Sequence, residues 1–298
     1  MYGLCAAAGL LTVLVLGEVI YQVAKGASPS ISEFGLSFVF HTRWAPNFNM
    51  FGALAAIYGT IVSSFIAIAI SAPLGIAIGL YMSLMAPPRV RTVVGPLVEM
   101  LAAIPSVIVG FWGVVVLAPF IAHHVEPFLH NVFGFIPLFG PPQTTGLSIF
   151  TAGVGLTVMV LPIVAALSRD LFLTVPQDLK DGAAALGATR WEIIRGVVLP
   201  TTVSGVAAAT VLGLGRALGE AIAVTQMMGD GSGIHVNLFL PGNSLSSRIA
   251  SEFPSPESKL HIPSLFYLAL ILLVIGLATS LLARMIASRF DVEKRLAR

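Results

Sequence analysis

The chain has few charged residues for its length. Asp, Glu, Lys and Arg make up 10% of its 298 residues, against about a quarter in a typical soluble domain. Hydrophobic residues reach 56%, and the mean hydropathy is +0.93. A soluble protein of this length would need a charged surface that this composition cannot supply. The sequence therefore predicts an integral membrane protein, and its net charge of +2 gives no indication of nucleic-acid binding.

Several chemical motifs are absent from the sequence. Cys5 is the only cysteine, which excludes an internal disulfide and a cysteine metal site. There is no G-x-x-x-x-G-K-[ST] phosphate loop, so any ATP hydrolysis is expected on another polypeptide. His123, His124 and His130 have no accompanying cysteines or paired carboxylates, which predicts solvated loop histidines rather than metal ligands. Because no catalytic triad or dyad is recognisable either, we expect no enzyme and no cofactor bound by this chain.

Six apolar segments are long enough to cross about 30 Å of hydrocarbon as helices. They belong to one predicted transmembrane domain covering residues 1–298. The first segment is not a cleavable signal, since no basic region precedes it and it exceeds the length of a signal core. The predicted spans are 3–24, 52–82, 93–120, 147–169, 201–227 and 264–287, with outer loops at about 25–51, 121–146 and 228–263.

The distribution of Lys and Arg predicts the orientation, because these residues concentrate on the cytoplasmic side of a membrane. Eleven of them lie on one side, four on the other, and Arg216 lies within a span. Both termini are therefore expected in the cytoplasm. The predicted inner residues are Arg89, Arg91, Arg169, Lys180, Arg190, Arg195, Arg284, Arg289, Lys294, Arg295 and Arg298; the outer ones are Lys25, Arg43, Arg248 and Lys259.

Residues 174–200, here called the elbow, look like a soluble fragment between two apolar segments. Thr174 with Gln177, and Thr189 with Glu192, have the spacing of capping boxes. Gly187 lies between them and is suited to a left-handed C-terminal position. We therefore predict two short helices joined at the glycine, on the cytoplasmic side. The second is expected to present one face containing Trp191, Ile194, Val197 and Val198 and to end at Pro200.

Arg216 and Glu220 are four residues apart within the fifth predicted span, so they should project from one helix face. Charges inside a membrane are costly and usually face a cavity or a partner. The pair fits a structural salt bridge, a proton relay or, the interpretation we favour, an anion site, because the Arg fork matches a tetrahedral oxyanion. An acceptor such as Glu220 favours a protonated oxyanion, which phosphate is near neutral pH and sulfate is not. Ser106, beside a proline in the third span, is a further candidate substrate contact, although packing or a helix kink explains it equally well.

The elbow sequence DGAAALGATRWEIIRGVVLP resembles the EAA loop of ABC-importer permeases. Asp181, Gly182 and Ala183 stand where Glu-Ala-Ala is usual, while Gly187, Leu199 and Pro200 match the family pattern. The resemblance implies a type I importer architecture whose elbow is a coupling loop that docks on a separate ATPase subunit.

Further segments resemble permeases of phosphate-specific ABC importers of the PstC type, above all LGLGRALGEAIAV at 212–224 and LFLPGNSLSSRIASEF at 238–253. This resemblance implies a bacterial cytoplasmic-membrane protein with a second, PstA-type permease, two ATP-binding subunits that hold ATP and Mg²⁺, and a periplasmic or surface phosphate-binding protein. It also assigns Arg216 and Glu220 to the substrate, inorganic phosphate. The alternatives are a permease for sulfate, molybdate or another oxyanion, an ATP-independent secondary transporter or channel and, more remotely, a membrane enzyme.

The third outer loop leaves two interpretations open. Ser244 is placed to cap a short helix within it. The loop then either forms a docking rim for an external partner or folds against the helix bundle.

Overall fold

A computed structural model of the chain describes residues 2–289. The predicted inner-side residues Lys294, Arg295 and Arg298 lie outside this range, as do the side chains of Arg284 and Arg289. Within the described range the regular secondary structure is helical, apart from one β-bridge between Ala45 and Met50.

Ten helices account for most of the described chain, and six of them are long and apolar enough to cross a membrane. These six are α1, α2, α4, α5, α7 and α10. The bounds are α1 Tyr2–Phe34, α2 Leu54–Met85, α3 Pro88–Ala102, α4 Ser106–Phe133, α5 Ile149–Thr174, α6 Gln177–Ala185, α7 Arg190–Gly219, α8 Ile222–Met228, α9 Leu245–Glu252 and α10 His261–Arg289.

The third predicted span, 93–120, is wrong in its bounds. The backbone is extended at Pro105, where ψ is 135°, so α3 ends before it and α4 begins at Ser106. Proline has no N–H to donate and its ring disfavours a helical residue before it, which explains the break. Because α4 continues to Phe133, the first half of the predicted loop 121–146 is helical and contains all three histidines of that loop.

The elbow joins the fifth span without a stop at Pro200, contrary to the prediction. Residues Ile194–Val198 form a π turn, and Pro200 follows in the first turn of the next α-helical stretch. A π turn widens the hydrogen-bond register by one residue, which accommodates a proline that cannot donate to the preceding turn. The fifth span therefore begins at Arg190 rather than at 201.

The bundle has one core around α5 and a second where α1 meets α10. Leu156, Val160 and Val164 of α5 are buried among side chains of α2, α7 and α8. On the other side, the Ser30 and Ser264 hydroxyls are 3.1 Å apart and fully buried between α1 and α10. The remaining surface of α1 is a row of exposed aliphatic side chains from Leu10 onward, as suits a helix against lipid.

The third outer loop folds into the bundle, which is the second of the two interpretations given above. Asn243, Ser244 and Leu245 are buried, and the Leu245 N–H donates to the Thr60 hydroxyl of α2 at 2.8 Å. Ser244 caps α9 as predicted, because its hydroxyl accepts the Ser247 N–H at 3.1 Å. Thr60 of α2 thus binds the folded-in loop directly.

Replacing Gly59 with Ala should loosen this attachment. A Cβ at Gly59 would overlap the Asn243 carbonyl oxygen, which is backbone and has no side-chain freedom to yield. Overpacking of this kind costs about 1–3 kcal/mol. We expect a lower temperature for loss of monodisperse protein in detergent, measured by size-exclusion chromatography after heating.

Gly276→Ala is the matched control for this prediction. It lies inside α10, where an added Cβ has no heavy atom within 4 Å. An unchanged or higher transition temperature is expected there, since Ala favours a helix interior over Gly. Equal losses in the two variants would contradict the proposed attachment.

Candidate functional site

Arg216 and Glu220 lie where the fifth span breaks. The Arg216 Nη2 and Glu220 Oε2 atoms are 3.8 Å apart, too far for a hydrogen bond but within the range of an ion pair. The predicted pairing is therefore present, but the continuous helix through residue 227 is not. Glu220 has an extended backbone with ψ of 121°, and α8 starts only at Ile222.

The two charged groups have different environments. The Glu220 side chain is 8% exposed, and its Oε1 accepts a long hydrogen bond of 3.5 Å from the Ala223 N–H at the start of α8. The Arg216 side chain is 42% exposed, and the loose contact with Glu220 is its one polar contact among the described residues. Glu220 is therefore held by the protein, whereas most guanidinium donors of Arg216 are free.

The break itself is held by α9. The Ser246 hydroxyl donates to the Glu220 carbonyl oxygen at 2.7 Å, which satisfies a backbone group that no helix turn takes up. Ser246 is 7% exposed, so this bond is shielded from water. The folded-in loop thus fixes the backbone conformation at Glu220.

The guanidinium opens onto an uncovered face of α7. Leu212, Gly215 and Gly219 are exposed on the same side as Arg216, and a Cβ built at either glycine meets no heavy atom within 4 Å. Nothing in the described part of this chain covers that face. It is available to a translocated ion or to another subunit.

Ser106 begins α4 directly after the Pro105 break and is partly exposed. Four residues later, Gly110 packs closely on Ala223 and Gln226 of α8, so the two broken spans are neighbours. The described contacts include no hydrogen bond from Ser106 to Arg216 or Glu220. The role of Ser106 as a substrate contact therefore stays a prediction.

A buried polar cluster near the start of α10 was missed from sequence. Glu252 Oε1 accepts from Arg248 Nη1 at 3.1 Å, and its Oε2 lies 2.7 Å from both Trp44 Nε1 and His261 Nε2. His261 Nδ1 accepts the Glu257 N–H, so its proton is on Nε2 and is donated to Glu252. Burial lowers the pKa of Arg248, and the charge of Glu252 opposes that shift. The i, i+4 spacing of Arg248 and Glu252 was the one signal available in the sequence.

One of the two predicted capping boxes of the elbow forms. The Thr189 hydroxyl accepts the Glu192 N–H at 3.4 Å, and Glu192 Oε2 accepts the Thr189 N–H at 2.7 Å. The first box is wrong, because Thr174 belongs to the last turn of α5 and donates its hydroxyl to the Leu171 carbonyl. Gly187 has the predicted left-handed conformation, with φ of +86°.

The elbow is anchored on one side and open on the other. Val198 is buried against Phe172 and Val206, and Ile194 is also buried, as expected for the predicted face, but Trp191 of that face is exposed. The turn residue Leu186 is 91% exposed.

The six predicted coupling residues occupy three places. Asp181 accepts from the Gln177 side chain on α6, and neither Gly182 nor Gly187 has a heavy atom within 4 Å of a built Cβ. Ala183 lies between them on α6, while Leu199 and Pro200 lie inside α7. An exposed surface of small and apolar residues of this kind is suited to a partner protein.

Known proteins are similar to this chain in sequence and in fold. Residues 75–292 match the family model described as "Binding-protein-dependent transport system inner membrane component". Proteins named phosphate transport system permease protein PstC are 41% identical in Mesorhizobium japonicum, over 96% of this chain and 89% of theirs, and 40% identical in Pasteurella multocida, over 94% and 88%.

Solved structures agree on the architecture. A chain of a bacterial alginate ABC transporter superposes with a TM-score of 0.64 at 16% identity, over 97% of this chain and 95% of its own. A chain of the inward-facing MetNI methionine ABC transporter gives 0.54 at 19%, over 78% and 91%. At these identities the likeness shows the fold alone. It confirms the predicted all-α membrane fold of a type I ABC-importer permease.

Replacing Glu252 with Gln should destabilise the protein strongly. The substitution leaves Arg248, which is 5% exposed, without its closest carboxylate. Removing one partner of a buried ion pair costs about 3–5 kcal/mol. The expected result is a marked fall in thermal stability in detergent.

Glu257→Gln is the control, since Glu257 is exposed and contributes its backbone N–H rather than its carboxylate to the cluster. It should melt like the unmodified protein. A Glu252→Gln variant with unchanged stability would show that the negative charge of Glu252 contributes nothing to the stability of the fold.

Proposed function

Because this chain belongs to the family of binding-protein-dependent transport system inner membrane components, we propose that it is the permease subunit of an ATP-driven phosphate importer. It is a multi-pass protein of the inner membrane and is related to transport permeases rather than to enzymes. The observation that carries the choice of phosphate is the half-exposed Arg216 beside the buried Glu220.

The chemistry of this pair suits hydrogen phosphate. The free Arg216 donors can pair with two phosphate oxygens in a bidentate arrangement. The remaining P–OH group can donate to Glu220 Oε2, whose 3.8 Å separation from Arg216 leaves it without a hydrogen bond. Sulfate near neutral pH has no proton to donate and would leave two negative groups facing each other. The pair therefore discriminates by protonation as well as by charge.

The same geometry argues against a purely structural ion pair. A buried salt bridge stabilises a fold only when its geometry is close and its remaining donors are satisfied. Here the contact is long and Arg216 is 42% exposed. The open face of α7 around Arg216 supports a path shared with a second, PstA-type permease, this chain forming half of it.

The power for transport is proposed to come from two separate ATP-binding subunits. The elbow would dock on one of them through α6, the Gly187 turn and the exposed Leu186, while ATP and Mg²⁺ are held by those subunits. A phosphate-binding protein would deliver the ion on the opposite face. The excess of Lys and Arg around the elbow supports a cytoplasmic location for it and for both termini.

Arg216→Ala should abolish most phosphate uptake by the assembled transporter in proteoliposomes. Charge-assisted hydrogen bonds contribute about 1.5–3 kcal/mol each, so losing two predicts a fall in uptake of about 100-fold or more. Arg216→Lys should retain part of the activity, because lysine keeps the positive charge but lacks the planar guanidinium. The measurement is the initial rate of radiolabelled phosphate entry at saturating ATP, with excess sulfate as a competitor.

Val13→Ala is the control, because Val13 is an exposed apolar residue of α1, away from the face of α7 proposed for the path. This control variant should take up phosphate at the normal rate, and excess sulfate should not lower that rate. Normal phosphate entry in an Arg216→Ala transporter that still assembles would reject the site, and full competition by sulfate would reject the choice of phosphate.

Gly187→Val should uncouple ATP hydrolysis from uptake. A β-branched residue at φ of +86° is strained, at a cost of about 1–2 kcal/mol, so the turn between α6 and α7 should shift. Gly187→Asn should be much milder, because Asn tolerates the left-handed region. ATPase rate and phosphate entry would be measured on the same proteoliposomes.

Gly196→Ala controls for an added methyl group on the elbow, because its site is equally open, its backbone conformation is ordinary and it is not one of the six predicted coupling residues. Coupled transport in the Val variant would contradict the docking role. Phosphate uptake by the reconstituted chain alone, driven by an ion gradient, would instead identify a secondary transporter.

A further inference from the structure

A cavity of about 800 Å³ lies behind the elbow, apart from the Arg216 site. Its walls come from the end of α2, the start of α3, the end of α5 and the inner surfaces of α6 and α7. The α6 residues that line it include Gln177, Lys180, Asp181 and Ala184, which share one helix face. Gly182 and the Gly187 turn are not among its lining residues.

Three cations from three different elements line this cavity. Arg91 comes from α3, Lys180 from α6 and Arg190 from the first turn of α7, while Asp181 is the one carboxylate in the lining. Concave surfaces lined by charges of one sign concentrate counter-ions. The cavity is therefore built for an anion.

These cations are not neutralised within the described part of the chain. Arg91 Nε donates to the Ala86 carbonyl oxygen at 2.9 Å, which orients the guanidinium and leaves its terminal nitrogens free. The described ion pairs include none of Arg91, Lys180 and Arg190. Asp181 is already hydrogen-bonded to the Gln177 side chain. Three positive groups and one carboxylate thus line the cavity, which gives its lining a net positive charge, and none of the three cations is in a described ion pair.

The N-terminus of α6 adds to this field. Pro176, the residue before the helix, gives no side-chain cap, and Gln177 turns its amide toward Asp181. The first N–H groups of α6 therefore have no side-chain acceptor, and the positive end of the helix dipole lies at the cavity wall. Asp178 in that first turn offsets part of the dipole, but it is not part of the lining.

The rest of the wall is mostly apolar. Its lining residues include Leu84, Ile193, Ile194 and Val198, together with the polar Ser83 and Thr174. Such a cavity can hold a small oxyanion at its cationic side or a charged headgroup whose apolar body lies along the aliphatic wall.

We propose that the cavity between α3, α6 and α7 binds a phosphate group, carried either by free inorganic phosphate or by the headgroup of an anionic phospholipid. The occupant would link the elbow to α3 through Lys180, Arg190 and Arg91. The proposal does not depend on which ion the transporter carries.

Binding should be measured on the full chain in detergent, with Arg216→Ala as the common background so that the Arg216 site contributes nothing. One arm uses equilibrium dialysis with radiolabelled inorganic phosphate. The other uses native mass spectrometry with phosphatidylglycerol, and with phosphatidylcholine as the zwitterionic comparison. The test variant is Lys180→Gln with Arg190→Gln, which retains the Arg91–Ala86 hydrogen bond.

The matched control is Arg89→Gln with Arg195→Gln, which removes the same charge from two exposed positions outside the lining. We expect the test variant to bind phosphate or phosphatidylglycerol at least about tenfold more weakly and the control to change less than about twofold. A second variant, Ala184→Leu, places a larger apolar side chain in the cavity wall without changing its charge and should also weaken binding.

The arm in which binding is lost identifies the source of the phosphate group. Loss confined to the dialysis arm assigns the site to free phosphate, and loss confined to phosphatidylglycerol assigns it to lipid. The proposal is overturned if neither probe binds the background protein. It is equally overturned if the two charge variants weaken binding alike, which would indicate only the general positive field of the elbow, or if Ala184→Leu binds normally.

Discussion

The arrangement of the functional half depends on how the chain satisfies the backbone where α7 stops. At Glu220 the helix ends, and the carbonyl that would have accepted a bond from the next turn is taken by the Ser246 hydroxyl at 2.7 Å. Ser246 reaches it because α9 is buried in the bundle, held in turn by Thr60 and by the contacts of Glu252 with Trp44 and His261. An unsatisfied carbonyl inside a membrane costs several kcal/mol. The break at Glu220 and the folded-in loop therefore depend on each other.

The break also explains why two adjacent charges have unequal roles. A continuous helix would leave Glu220 as exposed as Arg216, and the two would close on each other as an ordinary i, i+4 pair. Because the backbone turns away at Glu220, its carboxylate is drawn toward the first N–H groups of α8 and is buried, while Arg216 stays on the open face of α7. A fixed acceptor and an accessible donor group result, which is the asymmetry that recognition of a protonated oxyanion needs.

The sequence predicted features set by local rules and missed those set by distant contacts. The six spans, the Thr189–Glu192 box and the left-handed Gly187 follow from hydropathy, capping and chirality within a few residues. The break at Glu220 has only a weak local marker, Gly219, because GRALGEAIAV contains no proline and a lone glycine is tolerated inside helices. It depends on Ser246, 26 residues away along the chain, and the Trp44–Glu252 contact spans 208. The periodicity of a sequence gives no information on contacts between residues that are so far apart along the chain.

The continuity of α7 gives the elbow a mechanical route to Arg216. The elbow was predicted to end at Pro200, but the π turn allows one helix to run from Arg190 to Gly219. At 1.5 Å per residue this helix is about 45 Å long. Its first turn is locked by the Thr189–Glu192 box, and Arg216 lies in its last turn. In the proposed coupling, a partner that tilts the elbow would therefore also displace Arg216 against the Glu220 acceptor held by α8 and α9. Such coupling needs only a stiff helix that ends at the proposed ion site.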